Sequence, residues 1–374
     1  MTTQPIQVPL KSTKPKRVLT VRQLMWRRFA RNRLALVGAG FLILMYTSAL
    51  FAGFLAPYGV RTTHDQFASI PPQWPHMIDA EGNFYWRPFV YALKSEVDAA
   101  TFTRTFVPDT STRYPLEFFA TGDSYKLFGF IDANRHLVKP QEPGKMFLLG
   151  TDKQARDLFS RVLYGAQVSL TVGLVGVALS LIIGTLVGII SGFYGGTFDI
   201  IMQRIIEILL AFPQIPLWLA LAALVPPTWS SLRIFFMISV VLSVVNWGAL
   251  ALQVRGMVLS LREQDYIRAA RYANASDLRI ITKHLLPNTL SHVLVIATLA
   301  IPNMILGETA LSFLGLGIRP PLTSWGLLLN ESQHVRVLLQ QPWILTPALF
   351  VVATIISFNF LGDGLRDAAD PFSS

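Results

Sequence analysis

The stretch Glu263-Gln-Asp-Tyr-Ile-Arg-Ala-Ala-Arg-Tyr-Ala-Asn-Ala-Ser-Asp-Leu-Arg-Ile-Ile-Thr-Lys-His-Leu-Leu-Pro-Asn288 interrupts an otherwise apolar C-terminal half. It is too polar to cross a bilayer and too patterned for a slack loop. Asp265 to Ala273 reads as one short helix, acidic at its start and carrying Arg268 and Arg271 toward its end, as the helix dipole favours. Asn274 stops it, because Asn tolerates the left-handed conformation at a helix C-terminus. Ser276 then caps a second helix over Asp277 to Leu286, and Pro287 with Asn288 turns the chain into the next apolar run. The spacing predicts two small helices meeting at a bend on a membrane surface. Ala269, Ala270, Ala273 and Ala275 leave room there for another protein's groove. A helix pair that merely links two spans is the plainer reading of the same spacing.

Composition agrees with a membrane setting. Of 374 residues, 52% are hydrophobic and only 14% charged, which fits a polytopic membrane protein and argues against a soluble enzyme. With no cysteine, neither disulfides nor thiolate metal sites can hold the extramembrane parts together. A net charge of +10 alone would fit nucleic-acid binding, but its placement argues otherwise. Lys11, Lys14, Lys16, Arg17, Arg22, Arg27, Arg28, Arg31 and Arg33 all precede Leu34 with no acidic residue among them, as on a cytoplasmic flank facing anionic lipid.

Taken in order, residues 1–33 read as a cytoplasmic tail followed by an interfacial amphipathic helix over Val18 to Arg33, with Trp26 at headgroup depth. Residues 34–55 form the first transmembrane helix, since about 20 residues at 1.5 Å each span a ~30 Å hydrocarbon core. A cleaved signal peptide would have a shorter apolar run ending in a small-residue site. Residues 56–150 turn polar, aromatic and proline-rich, and are expected as a folded extracytoplasmic insert. Within it Thr121-Gly-Asp-Ser124 reads as the turn of a β-hairpin. Phe84, Tyr85, Trp86, Phe89 and Tyr91 read as the core of a small domain, a ligand-stacking surface being the alternative.

Residues 151–374 form the remaining core of five helices. Asp152, Arg156, Asp157 and Arg161, just before the second span, have the spacing of charge pairs on a solvated helix. The spans are expected at Val168 to Ile190, Ile200 to Val225 with bends at Pro213 and Pro216, Leu232 to Leu252, Leu290 to Leu314 and Ile344 to Leu361. Gly184, Gly188 and Gly192 recur every four residues, allowing close approach of another helix, and Phe193 to Asp199 is a Gly-rich turn. The polar loop 253–288 lies between the fourth and fifth of these six spans. The sequence thus predicts an all-α polytopic membrane protein with six transmembrane helices and a large insert after the first. An even number of crossings puts both termini on one side, and the surplus of Arg and Lys in the polar loop marks that side as cytoplasmic.

Several motifs resemble ABC-transporter permeases of the dipeptide, oligopeptide and nickel importer family, from a bacterial or archaeal cytoplasmic membrane. Arg268-Ala269-Ala270, Asn274 and Leu286-Pro287 match the family's "EAA" coupling loop, with Arg in place of its acidic residue and Asn in place of its glycine. Leu149 to Gly165 resembles the LGTD, RD, SR and YG series before the second span. Glu308 to Gly317, Ser324-Trp-Gly326 and Asn359 to Pro371 match further along. The resemblance implies a type I ABC importer permease fold and no enzyme activity or cofactor, with ATP bound by two cytoplasmic partner subunits. It also implies a homologous second permease subunit and an extracytoplasmic solute-binding protein, with peptides or similar small solutes, including oligosaccharide, opine or nickel, as cargo. The ATPase contact would fall to Arg268, Ala269, Ala270, Ala273, Asn274, Ala275, Ser276, Leu286 and Pro287. No Gly-x-x-x-x-Gly-Lys-Ser/Thr loop and no His-Glu-x-x-His pattern occurs in the sequence.

An ion-coupled secondary transporter is the rival class. It would need buried carboxylates to bind H⁺ or Na⁺, and Glu207 and Glu308 are the acidic residues well inside predicted spans, where Asn246 is a further polar group. Their cost in lipid predicts that they face the bundle interior or a partner, lining the translocation path or packing helices. Arg204, one turn from Glu207, can simply neutralise it. No inverted repeat accompanies them, and no nucleophile and base fall at a hydrolase's spacing.

Overall fold

The computed structural model describes residues 21–97 and 104–369, so the predicted tail at 1–17 lies outside the described residues. The first helices are α1 (Val21–Phe29), α2 (Arg33–Leu50) and the short α3 (Ala52–Leu55). After the insert come α4 (Leu158–Tyr194), α5 (Gly196–Ala211), α6 (Gln214–Ala223) and α7 (Ser231–Leu261). The polar loop holds α8 (Asp265–Tyr272) and α9 (Asp277–Ile280), and the chain closes with α10 (Leu286–Phe313), α11 (Trp325–Asn330), α12 (Val335–Gln340) and α13 (Thr346–Ala369).

Among the described residues, five helices are long and apolar enough to cross a membrane, namely α2, α4, α7, most of α10, and α13 with the turn before it. The predicted span from Ile200 to Val225 is bent near Pro213 as expected, its halves α5 and α6 meeting at 93°, and the pair makes a sixth span where it is counted as one broken crossing. Pro213 heads α6 with an extended ψ of 127°, and a proline ring cannot continue the helix before it.

Glycine decides how the core closes. A Cβ on Gly184, Gly188 or Gly192 would stand 2.8, 2.7 and 2.9 Å from the carbonyl oxygens of Trp247, Ala251 and Arg255 on α7, closer than side chains tolerate. The glycine stripe therefore lets α4 and α7 pack backbone to backbone, as its spacing predicts. Around this pair α10, α2 and α13 bury Leu42, Met45, Val172, Ile238, Leu242, Met304 and Phe358. The amphipathic helix ends earlier than predicted, and its predicted start at 18–20 lies outside the described residues. It stops at Phe29 because Asn32 caps α2, its Oδ1 accepting from the Ala35 amide at 3.1 Å. Phe29 packs on Ala35 and Ala368, so α1 is pinned to the end of α13 while Trp26 stays exposed.

The insert corrects the all-α expectation. Four strands, β1 (His76–Ile78), β2 (Phe84–Val97), β3 (Arg104–Leu127) and β4 (Ile131–Pro140), form an antiparallel sheet in the order β1-β2-β3-β4. The predicted hairpin exists, but its turn lies at 128–130. Thr121 to Ser124 is a bulge inside β3, where Thr121 pairs with Arg135 and Tyr125 with Ala133. Residues that favour a turn also favour a bulge, and here the bulge aims Asp123 away from the ladder. Its carboxylate accepts from the Gly59 amide at 2.7 Å and the Thr62 hydroxyl at 2.5 Å, and the buried His136 ring bridges the Asp123 and Ala56 carbonyls. The sheet is thereby fastened to the chain leaving α3. Of the predicted aromatic core, Phe89 and Tyr91 are buried, while Phe84 and Trp86 project outward.

Candidate functional site

The polar loop folds largely as its sequence directs. Asn274 has φ 56° and ends α8, and the Ser276 hydroxyl accepts from the Arg279 amide at 3.4 Å at the start of α9. One expectation fails. Pro287 does not turn the chain, because α9 runs through a π-helical turn at Ile281–Leu285 directly into α10. The wide turn makes room for a proline ring that would otherwise press on the preceding carbonyls.

Ile267, Ile280 and Leu285 are fully buried and pack on Ile189, Phe193, Leu250, Val254 and Val258. Arg271 lies over the Phe193 ring at 5.0 Å, and Arg262 donates to the Gly192 carbonyl at 3.0 Å. Nearby, Arg255 grips Asp199 through two bonds of 2.6 Å. The two short helices thus form a platform locked to the ends of α4, α7 and α10, so displacement of the platform must displace those helices.

Arg268, Ala269, Ala273, Asn274 and Ser276 are exposed on this platform, and Arg268 donates to Glu263 at 2.9 Å. Ala270, Ala275 and Leu286 instead pack against the chain's own core. Ala270 and Ala275 are half-buried, and the Ala275 amide donates to the Ala270 carbonyl at 3.0 Å across the bend. Pro287 is exposed. Tyr272 and Leu278, which sequence reasoning passed over, are 91% and 70% exposed on either side of the bend. The signal was available, since both are large apolar residues at the ends of polar helices. Reading the loop for small residues hid it.

At the opposite end of the helices the charges of 152–161 are not a solvated helix. Asp152, Asp157 and Arg161 are buried, and α4 begins only at Leu158. Asp152 takes Arg156 Nε at 2.8 Å and Arg161 Nη1, while Glu331 lies 3.5 Å from both guanidinium groups. Asp157 caps α4, accepting from the Ser160 amide at 2.8 Å and hydroxyl at 2.6 Å. Burial nevertheless pushes Asp157 up to about 6, and it raises Glu331 too, helped by neighbouring Asp152.

The three polar residues predicted to lie within spans fall in different settings. Glu207 is exposed and accepts from Arg204 at 2.8 Å. Asn246 is half-buried and donates to the Leu242 carbonyl at 2.8 Å. Glu308 is fully buried within this chain. Ser169 and Ser312 donate to its carboxylate at 2.9 and 2.7 Å, and their oxygens accept the amides of Trp325 at 3.1 Å and Ile318 at 2.9 Å. Glu308 thus fastens the segment after α10 onto α4. Among the described residues, no three His, Asp or Glu side chains gather as a metal would require.

Helices of spanning length, with an exposed two-helix platform at one end and a sheet at the other, define the class of a polytopic membrane protein. The profile of the family described as "Binding-protein-dependent transport system inner membrane component" matches residues 184–373, and that of the "N-terminal TM domain of oligopeptide transport permease C" matches residues 20–72. The chain belongs to the binding-protein-dependent, ABC-type permease family. It is 32% identical over 358 residues to a glutathione transport system permease protein of Escherichia coli, covering 96% of this chain and 93% of that one. A dipeptide transport system permease protein of Bacillus subtilis is 31% identical, covering 94% and 86%. An oligopeptide transport system permease protein of Haemophilus influenzae is 41% identical, covering 64% and 75%.

Proposed function

We propose that this chain is one of two transmembrane subunits of a peptide importer, that its platform docks on a cytoplasmic ATPase subunit, and that its sheet lies outside. The observation that carries this reading is the pair of exposed apolar residues, Tyr272 and Leu278, on a platform locked to three spans. Two large apolar side chains exposed on either side of one bend fit a surface that a partner covers. The relatives are named for dipeptide, oligopeptide and glutathione transport, which supports peptides as cargo. The chain would carry no cofactor and no catalytic group of its own, with ATP held by the partner subunits.

Within the membrane we assign Glu207 and Asn246 to the path or to the face against the second permease subunit. The exposure of Glu207 supports this, because an uncovered carboxylate in lipid is costly. For Glu308 the serine network supports a fastening role instead. Reconstitution with its ATPase, second permease and binding-protein partners in proteoliposomes tests the reading. ATP-dependent uptake of short peptides is expected, and ATP hydrolysis without uptake of any peptide would refute peptide import.

A further inference from the structure

A cleft of about 500 Å³ opens beside the ion network, between the chain that follows the first span and the loop at 320–327. Its polar wall comprises Arg61, Thr63, Gln154, Arg156, Arg161 and Thr323. Asp152 and Glu331 balance Arg156 and Arg161, and they hold those two guanidinium groups in fixed positions. Two carboxylates cannot occupy all the donors of two guanidinium groups, each with five N–H. Arg61, exposed on the rim, has no carboxylate within 4.0 Å among the described residues, so the wall keeps one uncompensated positive charge. Thr323 is only 4% exposed, and its hydroxyl has no hydrogen-bond partner among the described residues. An unpaired buried hydroxyl is a cost that a ligand can remove.

We propose that this cleft receives the C-terminal carboxylate of a peptide entering the transporter, Arg61 pairing with its charge and the Thr323 hydroxyl donating to it. The inference rests on the peptide-import reading and adds the end of the peptide that this chain recognises. A single carboxylate complements a wall of charge +1. The alternative occupant, an acidic patch on the binding protein, fits less well, because Thr323 is only 4% exposed and a folded surface would rest on Arg61 without meeting its hydroxyl. Arg61 makes no ion pair whose loss would unfold the chain, so Arg61→Gln is a usable probe.

The test is uptake into proteoliposomes by otherwise identical complexes carrying wild type or Arg61→Gln, given a tripeptide library as free acids and the same library as C-terminal amides. The binding protein's own preference is common to both complexes and cancels in the ratio of ratios, as in a double-mutant cycle. The preference for free acids should fall about tenfold in Arg61→Gln, the effect of one charge-assisted pair, and be partly kept in Arg61→Lys. An equal acid-to-amide ratio in wild type and Arg61→Gln would overturn the proposal. So would an equal loss for acids and amides with weakened binding-protein association, which would give the cleft to that protein. Failure of wild type to take up either library while hydrolysing ATP would remove the peptide-import reading itself.

Discussion

His64 shows how one side chain records the join between insert and spans. Its ring packs edge-on against Tyr58 at 4.5 Å and Phe147 at 5.3 Å, and its Nε2 is buried with no hydrogen-bond partner among the described residues. Burial, reinforced by Lys145 and Lys139 against Asp123 and Asp65, lowers it to about 4 from its ordinary 6.5. The neutral ring is therefore what the fold favours. Its stabilising contribution is present above pH 6.5 and is lost as the pH falls toward 4. After discounting for solvent screening at a half-exposed ring, the effect is on the order of 1 kcal/mol. Thermal unfolding of wild type and His64→Phe across that window should show wild type losing stability relative to the variant as pH falls. Parallel curves would mean that the ring titrates as it does in water. Asp157 shifts in the opposite sense, its stabilising effect being lost as pH rises from about 4 to 6, but it is common to both proteins and cancels.

At the scale of elements, the glycine stripe was legible because its spacing alone fixes one helix face, and the structure puts α7 against that face. Gly188→Leu should force α4 and α7 apart at a cost of ~1–3 kcal/mol, lowering the melting temperature in detergent. Gly256, on α7 with nothing within 4 Å of its missing Cβ, is the control. Gly256→Ala should leave stability unchanged or raise it by up to ~1 kcal/mol. Equal behaviour of the two variants would contradict close helix packing. The elements that escaped sequence reading share one cause. The Thr121 to Ser124 bulge, the buried ion network and the continuous helix through Pro287 all depend on what lies across from them. Local residue chemistry cannot distinguish a turn from a bulge, or a solvated charge pair from a buried one.

For the whole molecule, the apolar runs and the order of motifs made the family readable, since span length and charge placement act over tens of residues. The four-stranded sheet was not readable beyond one hairpin, because strands in an insert carry a weaker pattern than spanning helices. Its aromatic content still marked a folded unit, as the burial of Phe89 and Tyr91 shows. With the platform and the sheet at opposite ends of the helices, the proposed cytoplasmic platform puts the sheet outside. In intact cells an impermeant thiol reagent should label Gly129→Cys, at the turn between β3 and β4, and spare Ala273→Cys at the platform bend. Labelling of Ala273→Cys alone would invert the topology.

The central claim, that the platform transmits the ATPase cycle to the spans, is tested most directly at Tyr272 and Leu278. Both are exposed outside the spans, so replacing them with alanine should leave folding and membrane accumulation unchanged. The measurement is co-purification with the ATPase subunit, together with substrate-stimulated ATP hydrolysis, for the Tyr272→Ala Leu278→Ala double variant. The account predicts normal accumulation with ATPase association reduced at least tenfold, since removing two exposed apolar anchors from an interface costs more than ~1 kcal/mol each. Full association and full stimulation in that variant would contradict it.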